Sequence, residues 1–181
     1  MTDITVRALG DEDWQVYRDV RLAALAESPD AFAAKAAHEQ AFEEELWRKR
    51  IARSRRLVAE QDDKVVGVVS VGHKGSQDER VSELFGLWVM PELRGKGVAW
   101  RLVEAGVDQA RSDSYDFVLY WVGTDNGRAV AFASSFGFRP TDTRRPMKNP
   151  EGDRSDGNGD DEMAMVYPLG DDPGATPSAM A

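Results

Sequence analysis

A glycine-rich turn, Arg94-Gly95-Lys96-Gly97-Val98-Ala99, stands between an apolar run and an amphipathic one, and it limits the fold more than any other stretch. The run before it, Val81–Met90, reads as a strand that Pro91 stops, and the pattern after it reads as a helix from about Gly97 to Arg111. A helix N-terminus presents four unpaired backbone N–H groups and about half a positive charge. Glycines directly ahead of it let a phosphate approach the main chain, and Arg94 and Lys96 add cationic side chains. A diphosphate would find donors, dipole and charge at one spot. The plainer alternative is a turn that merely joins strand to helix. Two other phosphate loops are excluded. No Lys-Ser or Lys-Thr follows the second glycine, and the third small residue of a dinucleotide fingerprint is missing.

The rest of the chain is organised around that turn. Ile4–Leu9 reads as a first strand, and Asp11 as the cap of a helix carrying Trp14, Tyr17, Val20, Leu22 and Leu25. A second helix is expected over about Glu39–Arg53, acidic at its start and basic at its end, as the helix dipole favours. Two strands follow, Arg56–Gln61 and Lys64–Gly72, joined by Asp62-Asp63. The second is apolar on both faces and so belongs in the middle of a sheet. Phe117–Val122 reads as a further strand, Asn126 as the start of a short helix that Gly137 ends, and Phe138-Arg139 as the opening of another strand. Residues from about Thr141 to Asp160 read as a loop, and Glu162–Tyr167 as a last strand. The expected order is β-α-α-β-β-β-α-β-α-β-β. This is an α/β chain with a mixed central sheet of about seven strands and helices on both faces. One domain, residues 1–168, accounts for it, with 169–181 expected to lack fixed structure.

Charge and cysteine usage narrow the partners. Of the net −9, residues 149–172 supply −7 through eight acids against Arg154, so the remainder is close to neutral. No basic stripe suits nucleic acid, and no cationic amphipathic helix suits a membrane surface. No apolar run approaches the roughly 20 residues of a membrane span. Without cysteine there is neither a disulfide framework nor a thiolate ligand, and His38 and His73 stand far apart, both read as surface residues. A cytoplasmic protein without a metal is the expectation.

The turn also carries a family resemblance. Arg94-x-x-Gly97-x-Ala99, with Pro91 and Gly95, resembles the signature of the GNAT (GCN5-related N-acetyltransferase) superfamily. Asn126, Ala129 and Phe136-Gly137-Phe138 resemble that family's second block. The resemblance spans Ile4 to Tyr167 and implies acetyl-CoA as cosubstrate. It implies that Leu87, Trp88 and Val89 pair with the pantetheine arm, with a backbone N–H of Trp88 or Val89 polarising the thioester carbonyl. Arg94, Gly95, Lys96, Gly97, Val98 and Ala99 would hold the pyrophosphate, Asn126 the sulfur end, and Glu83 would act as general base. Each has a plainer reading too, Glu83 as a half-exposed strand residue and Asn126 as an ordinary helix cap. The sequence departs from the family at Ala133, where many members carry a tyrosine that protonates the leaving thiolate. The acceptor side would lie at Pro29–Ala37 and the 141–160 loop, with Phe32, Phe42 and Trp47 either lining a pocket or forming core. The implied activity is acetyl transfer to a primary amine of a small molecule, by a monomer or homodimer. A protein N-terminal or lysine acetyltransferase and a non-enzymatic acyl-CoA-binding module are the alternatives.

Overall fold

A computed structural model describes residues 3–29, 35–74, 79–147 and 161–180. Seven strands form one sheet: β1 (Thr5–Ala8), β2 (Arg55–Gln61), β3 (Lys64–Lys74), β4 (Val81–Val89), β5 (Phe117–Gly123), β6 (Arg139–Pro146) and β7 (Asp161–Pro168). Their spatial order is β1-β2-β3-β4-β5-β7-β6. Only β4 and β5 pair in parallel, and α4 (Val98–Ser112) makes the crossover between them. The remaining helices are α1 (Trp14–Glu27), α2 (Ala36–Gln40), α3 (Glu44–Arg53) and α5 (Gly127–Phe136). The mixed sheet of seven strands with helices on both faces is the architecture expected from the sequence.

Alternation along the strands separates two apolar layers. Leu57, Ala59, Val69, Val71 and Leu84 face α4, whose Leu102, Val103 and Val107 are buried against them, and α5 covers the same face farther along. On the opposite face Val58, Val68 and Trp88 pack against Val20 and Ala24 of α1, with Tyr17, Trp47 and Ile51 continuing the layer. Trp47 and Phe42 therefore serve as core. Their rings stand 5.8 Å apart.

Three local expectations need revision. The helix read over Glu39–Arg53 is two helices, because Glu43 is extended and caps α3 while Glu39 ends up almost fully buried between arginines. The presumed loop after Thr141 is strand as far as Pro146. β6 is an edge strand, the one place in a sheet where Pro140 and Pro146 need donate no N–H. The tail is also ordered to Met180. Arg139 Nη2 donates to the carbonyls of Gly174 (3.1 Å) and Ala175 (2.6 Å), and Met180 packs on the Val81, Leu119 and Val166 cluster. The apolar contact of Met180 and these carbonyl bonds overrule a composition that favours disorder.

The hairpin between β2 and β3 turns at Asp62 and Asp63, both left-handed (φ 51° and 62°), as a two-residue turn matched to strand twist requires. No helix among the described residues is long and apolar enough to cross a membrane.

Candidate acetyl-transfer site

The parallel strands part company partway along. Pairing runs from Val81↔Phe117 to Leu84↔Tyr120 and then stops, although β4 continues to Val89 and β5 to Gly123. β4 also carries a bulge. Three steps from Phe85 to Trp88 oppose two from Ser70 to Val68, and Gly86 takes φ +65° at the extra position. Below the bulge Glu83 and Phe85 share the α1 face, and above it Trp88 regains that face. Met90 N–H donates to Val66 O on β3 at 2.8 Å. By the two-residue alternation Trp88 also turns its N–H to β3, while Leu87 and Val89 turn theirs to the widening gap. Of the two donors named from sequence, Val89 has the free direction.

Both parallel strands feed a helix N-terminus at the mouth of this gap. Gly97 (φ +88°) is the N-cap of α4 and offers no capping side chain, and Gly95 takes φ +77°. A Cβ built on either glycine would meet nothing within 4 Å. The turn ahead of α4 is therefore open on the side of both glycines, Lys96 is exposed beside it, and Val98 anchors the helix in the core at 2% exposure. Ala99 is half-buried. This geometry fits a diphosphate. Across the gap Asn126 caps α5, its Oδ1 accepting from Ala129 N at 3.1 Å. The capping reading is thus realised, and the amide nitrogen of Asn126 is left for another acceptor.

Arg94 is turned back toward the protein. Its Nε donates to Val89 O (2.9 Å), and its Nη2 reaches Glu27 Oε2 (2.7 Å) and Ser28 Oγ (3.3 Å). Glu27 Oε2 also accepts from Trp88 Nε1 at 2.8 Å. Hydrogen bonds from Ser28, then Trp88, then Arg94 hold the Glu27 carboxyl below its ordinary range. Arg94 thus fastens the loop to strand and helix before it can offer its remaining nitrogen to a phosphate.

Glu83 is half-buried on the α1 face, with Oε1 3.6 Å from Arg145 Nη2 and Oε2 3.9 Å from Lys74 Nζ. Arg145 makes its close bond elsewhere, Nε to Glu162 Oε2 at 2.6 Å, and its guanidinium lies 3.9 Å over the Trp121 ring. Neither Arg145, Glu162 nor Trp121 was marked by the sequence. They come from β6, β7 and β5; Arg145 meets Glu83, and Glu162 and Trp121 hold Arg145 there. Gly86 could have been found, since a lone glycine in a strand pattern signals a bulge. Ala133 is 1% exposed on the core-facing side of α5, so a tyrosine at the position matched to the family's would have to enter packed core. Phe32 lies outside the described residues, as do residues 30–34 of the Pro29–Ala37 segment and residues 148–160 of the 141–160 segment.

Residues 20–138 match the profile of the acetyltransferase (GNAT) family. The chain is 32% identical over 99 residues to an uncharacterised N-acetyltransferase of Archaeoglobus fulgidus, covering 53% of this chain and 64% of that one. It is 24% identical over 157 residues to mycothiol acetyltransferase of Renibacterium salmoninarum, covering 85% of this chain and 46% of that one. The chain thus spans roughly half to two thirds of the length of these curated relatives. Among solved structures, yncA of Salmonella typhimurium, determined with its cofactor acetyl-CoA, superposes with a TM-score of 0.71 at 21% identity, over 97% of this chain and 98% of that one. A spermidine N-acetyltransferase chimera of Vibrio cholerae and hSSAT gives 0.64 at 23% identity, over 91% and 95%. At these identities the likeness is one of fold.

Proposed function

Because this chain belongs to the acetyltransferase (GNAT) family, we propose that it moves an acetyl group from acetyl-CoA to a primary amine of a small molecule by direct attack on the thioester. One observation carries the reading: β4 and β5 separate beyond Leu84↔Tyr120, and uncapped α4 opens at the mouth of the gap they leave. Backbone N–H groups of Gly95, Lys96, Gly97, Val98 and Ala99 would hold the pyrophosphate. The free edge of Leu87, Trp88 and Val89 would take the pantetheine, and the Asn126 amide its sulfur end. When bound, acetyl-CoA supplies an activated acyl group.

The protein's own residues do the rest. Val89 N–H donates to the thioester carbonyl oxygen, a contact typically worth about 10²–10³ in rate. Glu83 takes the proton of the acceptor ammonium. Its two ion pairs are longer than hydrogen bonds, so its oxygens keep lone pairs for that task. No side chain at position 133 can protonate the sulfur. A thiol with a pKa near 8.5 can leave as the thiolate, with water to take it up.

Thiol release from acetyl-CoA, followed against a panel of small amines and an N-terminal peptide, tests the activity. Absence of acetyl-CoA binding by calorimetry would end the proposal, and preference for the peptide would move it to a protein acetyltransferase. Glu83→Gln should lower kcat near neutral pH by about 10²–10⁴, with the loss shrinking as pH nears the amine's own pKa.

A further inference from the structure

Beneath the Gly86 bulge, on the face of the sheet where Glu83 lies, Arg21, Arg50 and Arg56 gather close to one buried carboxylate, Glu39. Arg56, Ser70 and Phe85 form one cross-strand row. Arg56 is only 2% exposed, yet no carboxylate among the described residues meets it. Its Nη1 donates to Ser70 Oγ (2.7 Å), its Nη2 to Arg50 O (2.8 Å), and its buried Nε has no partner. The rings of Tyr17 and Phe85 stand 4.6 and 5.4 Å from its guanidinium carbon. One buried carboxylate, Glu39, serves two more arginines, taking Arg21 at 3.1 and 3.2 Å and Arg50 at 2.6 Å. Burial above all draws Arg56 down to about 10; Tyr17 works against this, and the neighbouring cations Arg50, Arg53 and Arg21 add to it.

A buried guanidinium without a counterion is costly. Ring faces offset only part of that cost. An anion bound next to the cluster would offset more of it. Position supports this. A Cβ on Gly86 would lie 3.9 Å from Arg21 Nη1 and 4.0 Å from Ser70 Oγ, so the cluster abuts β4 between Glu83 and the Val89 donor. An acceptor aligned there has its amine toward Glu83 and the rest of the molecule against Arg21.

We infer that the acceptor amine carries an anionic group, a carboxylate or a phosphate, which Arg21 receives with the charge of Arg50 and Arg56 behind it. This rests on the proposed acetyl transfer and narrows its substrate class. Guanidinium suits both groups, since its planar fork matches either oxyanion. Polyamines and lysine side chains would bring a further cation or no anion, and are disfavoured.

The test pairs amines that differ only in the anion: L-amino acids against their carboxamides, and phosphoethanolamine against ethanolamine. The quantity read is the kcat/KM ratio within each pair, in the wild type and in Arg21→Gln. A ratio falling by roughly tenfold or more in the variant is the expected result, the scale of one charge-assisted contact. Because amine basicity is the same in both enzymes, it cancels from that change. The arm that responds identifies carboxylate or phosphate. Ratios indifferent to Arg21→Gln, or spermidine preferred by the wild type, would overturn the inference. So would a panel with no turnover while calorimetry shows acetyl-CoA bound. Failure of acetyl-CoA to bind at all would instead strike the proposed function itself. Arg56→Met, an apolar replacement of similar length, should lower the same ratio without touching the anion directly.

Discussion

Arg94 and Glu27 are ion-paired at 2.7 Å, and the pair ties the glycine-rich loop ahead of α4 to the last turn of α1. The same carboxylate oxygen receives Trp88 Nε1, so loop, strand and helix meet at a single acceptor.

Removing Glu27 therefore tests what Arg94 does. If Arg94 mainly positions the loop, Glu27→Ala should weaken acetyl-CoA binding severalfold, as Arg94→Ala should, because either change frees the loop. Calorimetric titration decides it. Tighter binding in Glu27→Ala would mean that the released guanidinium had been held away from the phosphate.

Gly97 tests the backbone cradle. Its φ of +88° disfavours any L side chain by about 1–2 kcal/mol, and a Cβ there would enter the open space where the pyrophosphate is proposed to sit. Gly97→Ala should lower the melting temperature by a few degrees and acetyl-CoA affinity by at least tenfold. Unchanged affinity would remove the pyrophosphate assignment.

Restoring the family's tyrosine at Ala133 should fail. With Ala133 1% exposed, Ala133→Tyr overpacks the layer beneath α5 and should cost about 1–3 kcal/mol. Chemical denaturation and turnover measured together check this. A variant of native stability with faster turnover would show that a hydroxyl at this position reaches the sulfur.

Deleting residues 171–181 removes the Arg139 acceptors at Gly174, Ala175 and Thr176 and uncovers the Val81, Leu119 and Val166 cluster. A loss of about 1–2 kcal/mol should lower the melting temperature by several degrees. An unchanged melting curve would mean that the tail contributes nothing.

Glu39 predicts an acid-sensitive increment of stability. Burial works to raise its pKa, but hydrogen bonds from Arg21 and Arg50 prevail and hold it below the ordinary value. A depressed carboxyl stabilises the fold above its unfolded pKa of about 4.3, and that contribution is lost as pH falls through the folded value. Glu39→Gln should then be less stable than wild type at pH 7 by about 3 kcal/mol. The gap should narrow below about pH 4. A constant gap would show that the ionised carboxylate is not what holds the arginines.

Local chemistry was legible in the sequence. The left-handed Asp62-Asp63 turn, the Asn126 cap and the stop at Gly137 each depend on a few consecutive residues. So does the strand-turn-helix around Gly95 and Gly97, because backbone preference and apolar period act over one or two turns of chain. The glycines were named on that basis, whereas the site roles of Glu83 and Asn126 came from the family resemblance. What surrounds Glu83 was not readable, since Arg145 and Trp121 lie far from it along the chain. Trp121 lies on the strand that pairs with β4, and Arg145 reaches Glu83 from the edge strand β6, passing over the Trp121 ring. The turning back of Arg94 to Glu27, the burial of Ala133 and the stacking of Arg56 between Tyr17 and Phe85 were decided in the same way. Each follows from which faces of distant strands and helices meet, and a one-residue change of register would reverse every such face.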